Sequence, residues 1–115
     1  MTYQGGCHCG RIGFEVEGRI DQVVDCNCSM CRKRGGLLWF VPRGKLRLAT
    51  PEADLGTYTF NTHQLRHHFC PACGIAPFSD GRGPGDVEMA AINVRCLDGV
   101  EPATLKVVAF DGKNK

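Results

Sequence analysis

The feature that most constrains this chain is the spacing of its eight cysteines, seven of which lie in three short groups. In chain order, the groups are Cys7 and Cys9, then Cys26, Cys28 and Cys31, then Cys70 and Cys73. Two cysteines separated by a single residue are too close for a relaxed disulfide, but they can chelate one metal ion as thiolates. The sequence therefore predicts metal binding, with the thiols kept reduced as in the cytoplasm.

The composition is typical of one globular domain. The chain has 115 residues, of which 43% are hydrophobic and 23% are charged, and its net charge is +2. This charge is too small to predict a nucleic-acid surface. The start, Met1–Gln4, lacks the apolar region of a signal peptide, and the longest apolar run, Leu37–Val41, is too short to span a membrane. We expect one cytoplasmic domain, residues 1–115, with no membrane or nucleic-acid partner.

Short runs of strand-forming residues predict an all-β fold. In Arg11–Glu17 apolar and polar residues alternate, which predicts a half-buried strand with Ile12, Phe14 and Val16 facing inward. Similar runs, bounded by Gly, Pro, Asn or Asp, span residues 37–41, 45–48, 55–60, 64–69, 87–95 and 105–110. One short helix is predicted over Ser29–Arg34, with Ser29 as its N-cap and a glycine pair after its end.

The run at 64–69 leads directly into the third cysteine group. Neighbouring side chains of a strand point to opposite faces, so His67 shares a face with Leu65 and Phe69. We expect Leu65 and Phe69 to face the core, which would make His67 a buried and hydrogen-bonded core residue. His68 and Asp25 are then the weaker candidates for proton transfer.

Residues 69–74, with the sequence Phe-Cys-Pro-Ala-Cys-Gly, are typical of a zinc knuckle, in which Pro and Gly shape a turn that aims two thiolates at one ion. Two ligands cannot complete a tetrahedron, and the first cysteine group supplies the other two. The sequence predicts a closed structural zinc site of Cys7, Cys9, Cys70 and Cys73. Metal binding at such a site contributes about 10 kcal/mol or more to folding in zinc-finger peptides.

The second group predicts a different site, because Cys26, Cys28 and Cys31 provide three ligands and leave a fourth position open. This pattern is typical of catalytic zinc. Three thiolates make a soft centre that favours an exogenous thiol as the fourth ligand. Two alternatives stay open: a structural site closed by Cys96, by a histidine or by Asp25, and a ribbon-like site that joins Cys28 and Cys31 to Cys70 and Cys73.

The cysteine pattern, together with residues 39–42 (Trp-Phe-Val-Pro) and 92–99 (Ile-Asn-Val-Arg-Cys-Leu-Asp-Gly), resembles the glutathione-dependent formaldehyde-activating enzyme family over nearly the whole chain. The broader family includes the eukaryotic centromere protein V branch. The resemblance implies a β-tent of antiparallel sheets and two zinc ions per chain. It places the structural zinc on Cys7, Cys9, Cys70 and Cys73, and the catalytic zinc on Cys26, Cys28 and Cys31.

The resemblance also implies an activity. The founding reaction of the family joins formaldehyde to glutathione, a carbon–sulfur lyase reaction run in reverse. The expected partner is a small-molecule thiol or its aldehyde adduct, and a homodimer is left open. The alternative function is a non-enzymatic zinc module that presents a surface to a protein or nucleic acid.

Overall fold

Strands dominate the computed structural model of the chain, which describes residues 1–60 and 62–112 and so excludes the last residues of the predicted domain, 113–115. The strands are β1 Thr2–Gly6, β2 Gly13–Glu17, β3 Val23–Cys26, β4 Leu38–Pro42, β5 Leu46–Leu48, β6 Gly56–Tyr58, β7 Leu65–Phe69, β8 Phe78–Arg82, β9 Glu88–Asn93 and β10 Val107–Phe110. One short helix, α1, spans Cys31–Arg34, and the described residues also include five short 3-10 segments. The all-β prediction is confirmed.

The strands form two sheets. The smaller sheet has the order β1-β2-β5, and the larger has the order β10-β3-β4-β9-β8-β7-β6. Pairing between the described strands is antiparallel, with one exception: β10 runs parallel to β3 and pairs Phe110 with Cys26. The predicted antiparallel sheets are found, and the parallel pair lies at one edge, where the last strand returns from a distant part of the chain.

Both sheets contribute to one hydrophobic core. From the smaller sheet, Phe14 and Val16 are 2% and 0% exposed, and Ile12 just before β2 is 1% exposed. Trp39 and Ile92 of the larger sheet pack into the same cluster. The inward orientation predicted from the alternation in Arg11–Glu17 is thereby confirmed.

The second face of the larger sheet points away from the core. Neighbouring residues of β4 show this, because Trp39 is 5% exposed whereas Phe40 is 51% exposed. Across the sheet, Phe40 pairs with Ala91, Ala91 with Ser79, and Ser79 with His67. His67 therefore lies on this outer face.

The predicted burial and hydrogen bonding of His67 are confirmed, since it is 6% exposed and contacts Ser79, but the predicted orientation of β7 is wrong. Leu65 is 49% exposed, and the residue facing the core side is His68, which pairs with the buried Phe78. The apolar residues of the run at 64–69 are Leu65 and Phe69, and their spacing does not show which face of the strand the core covers. The core residue Phe78, on the adjacent strand, decides the orientation.

Helix α1 begins at Cys31, two residues after the predicted cap. Its N-cap residue is Met30, and the expected Ser29 cap is wrong, since no side-chain oxygen accepts a hydrogen bond at this end. Instead the backbone N–H of Cys31 donates to the sulfur of Cys28, at 3.3 Å. The helix ends at Gly35, as predicted. No helix within the described ranges is long and apolar enough to cross a membrane.

Candidate metal centres

Four sulfur atoms meet where the β1–β2 turn approaches the loop after β7. The Sγ atoms of Cys7, Cys9, Cys70 and Cys73 lie within 4.8 Å of one another. Cys9 is 3.7 Å from Cys7 and 3.6 Å from Cys70, measured between sulfurs. We call these residues the four-thiol group.

Backbone geometry in residues 70–75 explains how one side of this group is formed. The N–H of Gly74 donates to the carbonyl of Cys70 at 2.7 Å, and the N–H of Cys70 donates to the carbonyl of Ile75 at 2.9 Å. Gly74 has a φ of +83°, which a side chain would make unfavourable. The turn brings the N–H of Cys73 to 3.4 Å from the sulfur of Cys70. This is the knuckle that the sequence predicts.

The other side of the group is formed by the turn between β1 and β2. Here the N–H of Cys7 donates to the carbonyl of Ile12 at 3.1 Å, and the N–H of Ile12 donates to the sulfur of Cys7 at 3.3 Å. Burial of Ile12 in the core fixes this turn. The group therefore connects segments about sixty residues apart, since Cys9 and Cys70 are separated by 61 positions.

The thiols of the four-thiol group ionise as a set. Hydrogen bonds from the backbone of Ile75 and Cys9 lower the pKa of the Cys73 thiol to about 6. The backbone of Arg11 favours the thiolate of Cys9, but Cys70 and the other neighbouring thiols outweigh it and raise the pKa of Cys9 to about 11. Thiolates this close repel one another, so full ionisation of the set requires a cation between them.

The donor set and its spacing fit a tetrahedral metal ion. Zinc–sulfur bonds of about 2.3 Å separate the sulfur atoms of a tetrahedron by about 3.8 Å. The sulfur–sulfur distances of 3.6 and 3.7 Å around Cys9 are close to that value. The group can therefore hold a metal ion such as zinc.

A second set of sulfurs lies at the end of β3 and the start of α1. The Sγ atoms of Cys26, Cys28 and Cys31 are within 4.8 Å of one another, and we call these residues the three-thiol group. The N–H of Cys28 donates to the sulfur of Cys26 at 3.5 Å, and the N–H of Cys31 donates to that of Cys28 at 3.3 Å. Such hydrogen bonds stabilise thiolates and orient them.

Ionisation within the three-thiol group is uneven. Burial opposes ionisation of Cys28, but hydrogen bonds from the backbone and thiol of Cys31 and the backbone of Met30 lower its pKa. Burial raises the pKa of Cys31, and the neighbouring Cys28 and Cys26 raise it further. One thiolate forms readily here, and a bound cation would be needed for all three.

Within residues 1–60 and 62–112, the three-thiol group has no fourth Cys, His, Asp or Glu ligand within the same distance. Cys96 lies elsewhere, where charges of the four-thiol group act on it. Burial raises the pKa of its thiol to about 11, and the charges of Cys7 and Cys73 raise it too. Asp25 precedes Cys26 on β3, so its side chain points to the other face of the strand. Among the described residues, none of the fourth ligands that the sequence left open, namely Cys96, a histidine or Asp25, joins the three-thiol group.

The two groups are separate. Cys28 and Cys31 lie with Cys26, while Cys70 and Cys73 lie with Cys7 and Cys9, so the ribbon-like pairing is not the one found. All eight cysteines are free.

The adjacent histidines have different environments. His68 is enclosed by hydrogen bonds, with Nδ1 3.0 Å from the hydroxyl of Thr57 and Nε2 2.9 Å from the Asp80 carboxylate. His67 has one such contact, between Nδ1 and the Ser79 hydroxyl at 2.9 Å. His68 thus belongs to a buried polar network and not to either cysteine group.

A groove of about 300 Å³ lies beside the three-thiol group. It is lined by the loop between Cys28 and Cys31, by α1, and by the end of β6 with the segment that follows it, namely by Ser29, Met30, Lys33, Arg34, Tyr58 and Phe60. Sequence reasoning missed the two aromatic residues of this lining, Tyr58 and Phe60. No spacing rule links Tyr58 and Phe60 to Cys31, because only the pairing of β6 and β7 at the far edge of the sheet brings them here.

Comparison with known proteins agrees with this architecture. A family model described as glutathione-dependent formaldehyde-activating enzyme matches residues 2–109. A crystal structure of a Rhodobacter sphaeroides protein is similar, with 31% sequence identity and a TM-score of 0.79 over 91% of this chain and 99% of that chain. Because this match covers most of the chain and includes both cysteine groups, the chain belongs to the glutathione-dependent formaldehyde-activating enzyme family.

Proposed function

We propose that this protein is a zinc-dependent enzyme of the carbon–sulfur lyase type that acts on a thiol–aldehyde adduct, such as the S-hydroxymethyl thiol formed from glutathione and formaldehyde. The observation that carries the proposal is the three-thiol group, which has three ligand sulfurs, no fourth ligand among the described residues and a groove beside it. Membership of the family supports the same chemistry.

The two cysteine groups would have different roles. The four-thiol group, with Cys70 fully buried, would hold a structural zinc that connects distant segments. The three-thiol group would hold the catalytic zinc, giving two zinc ions per chain. Free thiols at all eight positions suit a reducing compartment such as the cytoplasm.

A zinc ion bound to three thiolates would supply a soft Lewis acid that favours a sulfur ligand in its ionised form. The chain itself contributes orientation, since the backbone N–H groups of Cys28 and Cys31 hold the sulfurs of Cys26 and Cys28. In the synthetic direction the substrate sulfur attacks the carbonyl carbon, a carbon–sulfur bond forms, and the thiol proton ends on the oxygen. Holding sulfur and carbon together lowers the barrier by proximity.

The proposal is tested by assaying formation and breakdown of hemithioacetals with several thiols and formaldehyde. Wild-type protein should accelerate both directions, and Cys28→Ser should abolish the acceleration. Cys96→Ser, which alters a thiol outside both groups, is the matched control and should keep it. Equal rates for wild type and Cys28→Ser would refute the proposal and favour the non-enzymatic zinc module.

A further inference from the structure

The segment that carries the three-thiol group has no anchor in the hydrophobic core. Val23 and Leu37 are buried, but none of the residues from 24 to 36 is, and helix α1 contains no buried residue. The hydrogen bonds to sulfur described above form within this segment, so they shape the loop without attaching it to the rest of the protein. Polar contacts with neighbouring parts of the chain therefore contribute much of its position.

Asn27 provides two such contacts from a place between two of the ligands. Its backbone N–H donates to the carbonyl of Phe110 at 3.2 Å, which continues the ladder between β3 and β10 by one residue. Its side-chain Nδ2 donates to the Asp111 carboxylate at 3.0 Å, across a separation of 84 positions in the chain. Two hydrogen bonds thus attach the loop between Cys26 and Cys28 to the end of the last strand.

The chemistry of this pair suits a place beside thiolates. A neutral amide donates to the Asp111 carboxylate without adding charge near sulfurs that repel one another when ionised. Because Asn27 has a ligand on each side, a shift of its backbone moves both sulfurs. Replacing a residue that orients metal ligands by hydrogen bonds typically lowers metal affinity by about 10- to 100-fold.

We propose that Asn27 is a positioning residue of the three-thiol group, with Asp111 as its anchor. Through this pair the segment after β10 sets the separation of the Cys26 and Cys28 sulfurs and so prepares the group for one metal ion. The inference rests on the proposed function, since it assumes that this group binds zinc, and it adds the residues that hold the ligands in place.

The test exchanges the two members of the pair. Asn27→Asp places two carboxylates opposite each other and should weaken binding of Co²⁺ at the three-thiol group by about tenfold or more. Adding Asp111→Asn to this variant restores a donor and an acceptor at the original total charge, and should recover most of the affinity. Gln22→Glu, an exposed change before β3, adds the same charge away from the pair and is the matched control.

Affinity is measured from the cobalt–thiolate absorption of protein whose four-thiol group holds zinc. The shape of the cobalt spectrum also reports the geometry of the sulfurs, and we expect it to change in Asn27→Asp and to return in the double variant. Equal affinities of Asn27→Asp and Gln22→Glu would overturn the inference. So would a loss of affinity in Asn27→Asp that Asp111→Asn does not restore.

The same measurements separate this inference from the proposed enzyme, because metal affinity is measured without substrate. Weakened and restored Co²⁺ binding in a protein without hemithioacetal activity would support the inference and refute the enzyme. Hemithioacetal activity in the wild type, with Co²⁺ affinity unchanged in Asn27→Asp, would refute the inference and leave the enzyme standing.

Discussion

The backbone of Gly112 packs directly against the thiol of Cys26. A Cβ atom built on this glycine would lie 2.6 Å from the Cys26 sulfur and 3.2 Å from the Cβ of Cys28. The contact follows from the parallel pairing of β10 with β3, which brings Phe110 beside Cys26, and from the hydrogen bond of Asn27 to the Asp111 carboxylate at 3.0 Å. The segment after β10 thus forms part of the wall of the three-thiol group.

This contact predicts the effect of Gly112→Ala. The added methyl group should displace the Cys26 sulfur and weaken zinc binding at the three-thiol group by about tenfold or more, as for loss of a supporting residue at other metal sites. Zinc affinity is measured by competition with a chromogenic chelator. Gly44→Ala, whose Cβ would meet no atom within 4 Å, is the control and should bind as wild type. Equal affinities in the two variants would contradict the prediction.

The two cysteine groups should differ in their effect on folding. Cys70→Ser should lose one zinc and much of the stability, because the four-thiol group connects the β1–β2 turn to a segment 61 residues away. The loss is large, since structural zinc contributes about 10 kcal/mol or more in zinc-finger peptides. Cys28→Ser should still unfold cooperatively. Calorimetry measures the stability and the cooperativity of unfolding of both variants. Identical unfolding of the two would show that the division into structural and catalytic sites is wrong.

A buried ion network should stabilise the larger sheet. Asp80 is 7% exposed and accepts hydrogen bonds from Arg43 at 3.0 Å and Arg66 at 2.8 Å. Burial raises the pKa of the Asp80 carboxyl, but His68, Arg43 and Arg66 outweigh it and lower the pKa to about 2. A depressed pKa means that this stabilisation is complete above the unfolded value of 3.8 and is lost as the pH falls through about 2.

Asp80→Asn should therefore reduce the free energy of unfolding by about 3 kcal/mol, because it leaves two arginines beside an uncharged side chain. The reduction is measured by denaturant unfolding of the zinc-loaded protein at pH 7. Asp21→Asn, in an ion pair with side chains 76% and 88% exposed, should cost under about 1 kcal/mol. A reduction as small as that of Asp21→Asn would count against this assignment.

His67 should titrate below its usual range. Burial lowers its pKa from 6.5, and the charges of Arg34 and His68 lower it further. Protonation is therefore disfavoured in the folded state, so this residue reduces stability as the pH falls below 6.5 and has no effect at higher pH. NMR titration of the imidazole should give a midpoint below 6.5, and Arg34→Gln should raise it. A midpoint that does not respond to Arg34→Gln would show that the charge of Arg34 does not act on His67.

Local sequence patterns predicted much of the fold. The alternation in Arg11–Glu17 predicted the burial of Ile12, Phe14 and Val16, and these are 1%, 2% and 0% exposed. Three strands escaped prediction, namely β1, β3 and β8. β1 carries a glycine pair, Gly5 and Gly6, and β8 contains Asp80 and Gly81, residues that are unfavourable in isolated strands. These strands are stabilised by their neighbours.

The sites show the same division between local and long-range information. Short spacings identified which cysteines can share an ion, because chelation is a local property of the chain. The walls of the groove depend on long-range pairing: Phe60 reaches α1 from the far edge of the larger sheet, and Gly112 arrives through β10. The orientation of His67 depends on Phe78 in the adjacent strand, about which the local pattern carries no information.

The central claim is that one cysteine group is a closed site and the other is open to a thiol. Native mass spectrometry of zinc-loaded wild type and Cys28→Ser, before and after addition of glutathione, tests it most directly. Two zinc ions in the wild type, one in the variant, and a non-covalent glutathione adduct on the wild type alone are the predicted result. The same zinc content in both proteins, with no adduct on either, would contradict the claim.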